Sequence, residues 1–415
     1  MQARVLRVGV AGLGEAATEF LPGYHRHPHV RLAACADPRA PARERFVRDF
    51  GGRAYCDVAD MCAAENLDVI VVATNHEFHR DPVIWAAQAG RHVVVEKPMA
   101  LSLADCDEMI DACDRAGVRL LAGHSHSYDA PIRSLRRLIA EGSYGPLSMI
   151  HGCNFNDFMT RPYPDSHLAQ SAGVVLNQAP HHIDVVRYLG GGLLHSVRAV
   201  ALNRSVPTRP GFGAYACFLR FTNGVPVTLV YSGYGLFDSA ELFGWYGEGG
   251  QPRQPTTNAA SRGNFLALDD GERAERLDAL KERLRYGSVG LGERAVMPPG
   301  WGKGGRPPTT GALPTKQPFF GLLLVSCDRA DIRQYPDGLA IYADGGRRDV
   351  PVTGMPDARQ AEIDELYQAV VHDRPLVHDG RWAKATLEAS LAILQSSAED
   401  REIILRHQIA LPEGN

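Results

Sequence analysis

The chain changes its hydrophobic pattern near residue 125. Before that point, short, largely apolar runs alternate with stretches of helical character. "VLRVGV" (5–10), "VRLAACA" (30–36), "DVIVVA" (68–73) and "HVVVE" (92–96) are the runs, and "RDPVIWAAQAG" (80–90) is one of the helices between them. Largely apolar runs suit strands covered on both faces. Their alternation with helices predicts a doubly wound parallel sheet over residues 1–125. Beyond residue 126, "SVRAVALN" and "YACFLRFTNGVPVTLVYSGY" read as strands, and Thr-Asn-Gly between apolar runs predicts a hairpin. A helical stretch closes the chain, "DARQAEIDELYQAVVHDRPLVHDGRWAKATLEASLAILQSSAED".

From about 247 to 317 the composition shifts to Gly, Pro, Arg and Thr, interrupted by one charged helix, "DDGERAERLDALKERLRYG". The segment fits either a surface insertion or a lid or oligomer arm. The expected organisation is a domain at 1–125 and a second, 126–415, carrying this insertion. A length of 415 residues is enough for two cores. With a net charge of -4, nothing points to nucleic acid or an anionic membrane as partner. No apolar run approaches a membrane-spanning length, and the N-terminus lacks a signal-peptide pattern. The eight cysteines include no C-x-x-C pair, which suits reduced thiols and a cytoplasmic location.

The first strand turns through Gly12 and Gly14 into a helix with Ala17, the pattern G-x-G-x-x-A. Such a turn lets backbone approach a pyrophosphate at a helix N-terminus. Asp37 ends the second strand, at the spacing of a carboxylate that holds ribose hydroxyls and repels a 2′-phosphate. NAD is therefore expected over NADP, with Arg39 near enough to soften the preference. A bland alternative makes Asp37 the start of a turn. Thr74, Asn75, Glu96 and Lys97 stand at carboxyl ends of strands, where ligands bind in such sheets. Adjacent strand residues face opposite ways, so Glu96 and Lys97 are not expected to pair with each other.

These motifs, with "ATNHEFH", Glu96-Lys97-Pro98, "GHSHSYDAPIRSLRRLIAEGSYGPL" and "AGVVLNQAPHHIDVVRYLGG", resemble the glucose–fructose oxidoreductase and inositol dehydrogenase family, Gfo/Idh/MocA. The resemblance implies an α/β chain: a Rossmann domain, then an α/β domain on a large, mostly antiparallel open sheet, with the active site between them. It places Gly12, Gly14, Ala17, Asp37, Arg39, Thr74, Asn75, His79, Glu96 and Lys97 on the NAD side, with Glu96 at the nicotinamide ribose. It matches Lys97 and His181 to the family's catalytic lysine and histidine. Asp184 matches an acidic residue one helical turn on, and orients His181, binds substrate or lies on the helix surface. Asn177 stands where sugar and inositol dehydrogenases carry aspartate, which puts their proton relay in question. A dimer or tetramer is implied, with no membrane or nucleic-acid partner.

"FFGLLLVSCDRADIRQYPDGLAIY" resembles the branch that contains phthalate 4,5-cis-dihydrodiol dehydrogenase, an enzyme of aromatic catabolism. The function expected is therefore NAD-dependent oxidation of a ring hydroxyl, with Lys97 as base. Burial and the positive nicotinamide ring would draw its pKa from about 10.4 toward about 7–8. A cyclic cis-dihydrodiol such as phthalate 4,5-cis-dihydrodiol is the leading small-molecule substrate. A sugar, inositol or glycoside is the alternative, and a cofactor-binding sensor the rival outside enzymes. His124, His126, Arg161, Asn177, His181 and Asp184 are the expected substrate contacts. Arg161 is first choice for a substrate carboxylate, ahead of Arg204 and Arg209. His182 is expected to be structural, and His25, His27 and His29 to be solvated. No metal site is expected, since His124 and His126 lack a cysteine cluster or a third carboxylate ligand.

Overall fold

The structure, a computed structural model, describes residues 4–124, 126–160, 172–204, 206, 209–288, 316–355 and 357–412. Six parallel strands form the first sheet: β1 (Leu6–Ala11), β2 (Val30–Ala36), β3 (Arg53–Tyr55), β4 (Val69–Val72), β5 (His92–Glu96) and β6 (Leu120–Gly123). Their order is β3-β2-β1-β4-β5-β6. The helices between them are α1 (Glu15–Arg26), α2 (Ala40–Phe50), α3 (Val58–Ala64), α4 (Arg80–Gln88) and α5 (Leu103–Ala116). The apolar runs divide between two faces with period two. Val69 and Val71 enter one apolar cluster with Val8 and Val10, while Ile70 and Val72 enter the other with Val93 and Val95. The strand order reverses between β1 and β4, and ligands of such sheets bind at that reversal.

The second sheet has nine strands in the order β14-β13-β12-β11-β7-β10-β9-β8-β15. They are β7 (Leu147–Phe155), β8 (Leu194–Leu202), β9 (Ala214–Phe221), β10 (Pro226–Ser232), β11 (Leu322–Cys327), β12 (Ala330–Tyr335), β13 (Gly338–Ala343), β14 (Gly346–Pro351) and β15 (Ile403–Ile404). β7 and β10 run parallel and every other pair is antiparallel. The Thr-Asn-Gly hairpin joins β9 to β10 as expected. β9 shows why this half reads differently. Tyr215, Cys217, Leu219 and Phe221 are buried, while Ala216, Phe218 and Arg220 are exposed, so only one face is covered.

That covered face packs on α6 (Ala130–Ala140), α8 (Ala179–Gly190) and part of α12 (Gly380–Glu399). The short helix α7 (Val174–Asn177) precedes α8. The closing helices then cross back to the first sheet. Ile363 and Leu366 of α11 (Ala358–His372) are fully buried in the cluster of Val8 and Val10. Each such side chain contributes about 1.5–3 kcal/mol through burial. Ala383 and Leu387 of α12 join the other face of the first sheet, and Ala389 and Ile393 the second-sheet core. Ala122 on the edge strand β6 donates its N–H to His378 O at 2.8 Å.

The insertion carries the expected charged helix, α10 (Asp270–Leu284), started by a capping box between Asp269 and Glu272. A further helix, α9 (Thr257–Leu266), precedes it. Its sequence, TNAASRGNFL, mixes Gly, Asn, Ser and Thr, so its pattern gave no helix signal. Among the described residues no helix is long and apolar enough to cross a membrane.

Candidate active site

The cofactor end is built around the glycine turn. Gly12 has φ +92°, and a Cβ there would lie 2.6 Å from Ala73 O, so both conformation and close packing demand glycine. A Cβ on Gly14 would meet nothing within 4 Å, which leaves a cradle at the start of α1. Gly14 is the N-cap of that helix and supplies no side-chain cap, so the first-turn N–H groups are left for an anion. Ala17 is fully buried against the sheet. Asp37 is 6% exposed and accepts Leu13 N–H at 2.7 Å through Oδ2 and Arg39 N–H at 2.8 Å through Oδ1. Arg39 Nε lies 3.2 Å from Asp37, and its Nη2 donates to Leu13 O. The carboxylate therefore braces the turn itself, and its remaining lone pairs suit ribose hydroxyls. These features fit NAD, which supplies a hydride acceptor when bound.

His79 takes a different place from that expected. It is fully buried, with Nδ1 3.2 Å from both Pro98 O and Met99 O, and Nε2 3.1 Å from Thr74 O. It fastens the end of β4 to the segment after Lys97 and presents no ring edge to a cofactor. Thr74 and Asn75 remain at the carboxyl end of β4, with Thr74 Oγ1 donating to Phe78 O at 2.9 Å.

Glu96, the last residue of β5, and Lys97, just beyond it, turn to different partners. Glu96 Oε1 lies 3.8 Å from Arg359 Nη2 on α11. Lys97 Nζ donates to Asn177 O at 3.0 Å, across from the first sheet to α7. It is the backbone carbonyl of Asn177 that meets the lysine, for its side-chain Oδ1 accepts Gln178 Nε2–H at 2.6 Å. Behind Lys97 stands His76, whose pKa burial pulls down to about 3, helped by His79 and Lys97.

α8 distributes its polar groups on separate sides. His181 lies edge-on to His126, with ring centroids 4.8 Å apart, and beside Phe320 at 5.0 Å. His126 Nδ1 meets Asp129 Oδ2 at 2.8 Å. His182 meets the Tyr215 hydroxyl at 2.7 Å, and burial takes its pKa to about 3, which makes it the structural member of the pair. Asp184 is not on the helix surface: it is 1% exposed and accepts Trp382 Nε1–H at 2.6 Å.

His124 parts from His126. It is 2% exposed, its ring centroid is 6.2 Å from that of His378, and burial lowers its pKa to about 4. His124 and Asp184 thus belong to one buried polar cluster with His378. Burial lowers the pKa of His378, but Glu365, 3.0 Å from Nδ1, outweighs burial and leaves it raised. Arg161 lies outside the described residues. His27 was expected in solvent, but it is buried and lies 3.0 Å from Asp364, because α11 returns over that loop. Among the described residues no group of three or more His, Cys, Asp or Glu is arranged to hold a metal.

Sequence reasoning missed Phe320, Asp129, Arg359, Glu362 and His378. Arg359 Nη1 donates to both oxygens of Glu362, at 2.8 and 2.6 Å. Burial raises the Glu362 carboxyl to about 7 despite Arg359. Along the chain, Arg359 and Glu362 have the spacing of an ordinary helix-surface pair; only the return of α11 puts them behind Glu96.

Comparison with known proteins agrees with this geometry. Residues 6–124 match the oxidoreductase family with NAD-binding Rossmann fold, Gfo/Idh/MocA, and residues 132–250 match the Gfo/Idh/MocA C-terminal domain. A 1-carboxy-3-chloro-3,4-dihydroxycyclohexa-1,5-diene dehydrogenase of Comamonas testosteroni is 35% identical over 94% of this chain and 94% of its own. A myo-inositol 2-dehydrogenase of Thermotoga maritima is 27% identical over 58% of this chain and 73% of its own. A solved structure from Bordetella bronchiseptica RB50 superposes with TM-score 0.84 at 36% identity, over 97% of this chain and all of that one. With its glycine turn, its braced Asp37 and its lysine between two sheets, the chain belongs to the Gfo/Idh/MocA oxidoreductases and is an NAD-dependent dehydrogenase.

Proposed function

We propose that this dehydrogenase oxidises a carboxylated cyclohexadiene cis-diol to a catechol, with phthalate 4,5-cis-dihydrodiol as one member of that class. The observation that carries the reading is the placement of Lys97. Its Nζ stands between the two sheets, 3.0 Å from Asn177 O. As a neutral amine, Lys97 keeps one N–H on that carbonyl and turns its lone pair to the substrate hydroxyl. It takes the hydroxyl proton, and NAD, when bound, would supply the acceptor for the hydride on the carbon that bears that hydroxyl. His181, between His126 and Phe320, holds the hydroxyl or shares its proton. The ketone so formed lies beside the second carbinol. That carbon gives up its C–H proton, the ketone oxygen gains one, and the ring becomes aromatic.

The relative from Comamonas testosteroni supports the substrate class, since its name specifies a ring, a carboxylate and two adjacent hydroxyls. The inositol dehydrogenase relative favours the second reading, a polyol or sugar ring oxidised by the same Lys97. Arg161 remains the proposed partner for the carboxylate. A small-molecule substrate, a cytoplasmic location and a homo-oligomer complete the proposal. NADH formation at 340 nm tests it, with carboxylated and plain arene cis-diols, myo-inositol, pyranoses and glycosides offered in parallel. Preference for carboxylated diols supports the reading, and turnover of polyols alone refutes it.

A further inference from the structure

Residues 251–288 lie beyond both matched family domains, yet they reach the cofactor end of the first sheet. α10 is followed by Arg285-Tyr286-Gly287-Ser288, and this stretch is set on the glycine turn. Tyr286 N–H donates to Gly14 O at 3.3 Å. Arg39 Nη2, which holds Leu13 O, also reaches Tyr286 O at 3.4 Å. Arg39 Nη1 lies 4.0 Å from Glu282 Oε1 on the last turn of α10. The Tyr286 side chain is 1% exposed and belongs to the apolar cluster of Leu13, Ala42 and Phe46. Its hydroxyl donates to Asp49 Oδ2 at 2.7 Å. Gly287 has φ +99°, and a Cβ there would lie 2.7 Å from Ala42 Cα, so the backbone packs directly on α2.

Every one of these contacts falls on the fingerprint turn or on the β2–α2 region that carries Asp37 and Arg39. The pyrophosphate cradle at Gly14 and the ribose carboxylate at Asp37 are thereby walled on their outer side by a segment of the second domain. We propose that Asp270–Gly287 is a clasp over the adenosine end of the NAD site, and that dinucleotide release requires it to lift. Its hold on the first domain is one buried ring and a few hydrogen bonds, while Leu277 anchors the other part of α10 in the core of the second sheet. The inference rests on NAD binding at this turn and is independent of which alcohol is oxidised.

The test follows NADH release from the full-length protein by stopped-flow fluorescence, with no alcohol present, so failure of the substrate reading leaves it unaffected. Tyr286→Ala is expected to speed release about tenfold or more, with Tyr286→Phe in between, since changes at one interface act mainly on dissociation. If Tyr286→Ala does not fold, Tyr286→Phe decides. Hydrogen exchange of amides 270–288 in the unaltered protein is expected to slow when NADH is added. Release within about twofold of the parent in a folded variant, or exchange that ignores NADH, overturns the clasp.

Discussion

Lys97 Nζ and the backbone carbonyl of Asn177 lie 3.0 Å apart, and this contact joins the carboxyl end of β5 to the helix pair that carries His181. That partner is main chain, so the contact does not depend on which side chain stands at 177. The side chain of Asn177 points its oxygen to Gln178 and is not the lysine's partner. Replacing Lys97 with methionine keeps the length and removes the base. Turnover is expected to fall about 10²–10⁴-fold, while the NADH dissociation constant stays close to the parent value. Steady-state kinetics paired with fluorescence titration checks both; equal loss of binding and turnover would make Lys97 a cofactor anchor instead.

Asp37 braces Leu13 N–H and Arg39 N–H at once. Asp37→Ser removes the charge that favours ribose hydroxyls. NAD affinity is expected to drop about 10–100-fold, as a lost charged hydrogen bond implies. NADP affinity should fall less, because the repulsion of a 2′-phosphate goes too. Parallel titrations with the two dinucleotides read the ratio, and an unchanged ratio removes Asp37 from cofactor choice.

Glu96 and Glu362 share Arg359 from opposite sides. Arg359→Met leaves Glu96 and the buried Glu362 without the guanidinium they share. Stability is expected to fall by about 2–4 kcal/mol, somewhat below the range for a fully buried pair that loses one partner. Arg359→Met combined with Glu362→Leu should recover part of the loss. Urea unfolding of the three proteins distinguishes this coupling from simple loss of packing, which would make the double variant worse.

His76, His124 and His182 are held neutral, with pKa values drawn to about 3, 4 and 3 by burial. Their folded values lie below the unfolded value of about 6.5. The stability they contribute is present above that pH and is lost as pH falls toward 4. Glu362, raised to about 7, works in the opposite sense between about 4.5 and 7 and offsets one of the three. The net expectation is a protein that weakens steadily below pH 6.5. His182→Phe should flatten this slope by up to about 1 kcal/mol per pH unit. Denaturation at pH 7 and pH 5 provides the comparison, and an identical slope would place the proton uptake elsewhere.

Arg161 is the first candidate to hold a ring carboxylate. Arg161→Met is expected to raise KM for a carboxylated diol about 10–100-fold, with little change for the plain arene diol. Equal effects on both substrates would assign the arginine another role.

The parts of this protein that sequence revealed are those whose chemistry is local. Val69–Val72 reads as a buried strand because every position is apolar, and Gly12 announces the turn that only glycine can make. The motif around His181 singles it out along the chain, and the structure sets its ring beside His126 and Phe320. Hidden were features made by distant segments meeting. Nothing in "DARQAEIDE" distinguishes Arg359 from a solvated arginine until α11 returns to β5. His79 looked like a cofactor ligand because it closes a cofactor-side motif, and only the position of Pro98 and Met99 shows it as a fastener. His124 and His126 are two residues apart, yet the chain bends between them and one joins the buried cluster of His378.

The return of α11 and α12 to the first sheet has a consequence for synthesis. When residues 1–125 have left the ribosome, α1 and α2 already cover part of one sheet face with Phe20 and Phe46, but the rest of that face waits for Ile363 and Leu366, and the edge of β6 waits for His378. The nucleotide-binding half is made before the second half and is among the last parts to be finished. A nascent chain carries that uncovered apolar surface through more than two hundred further residues, so this half matures as the property of the whole polypeptide.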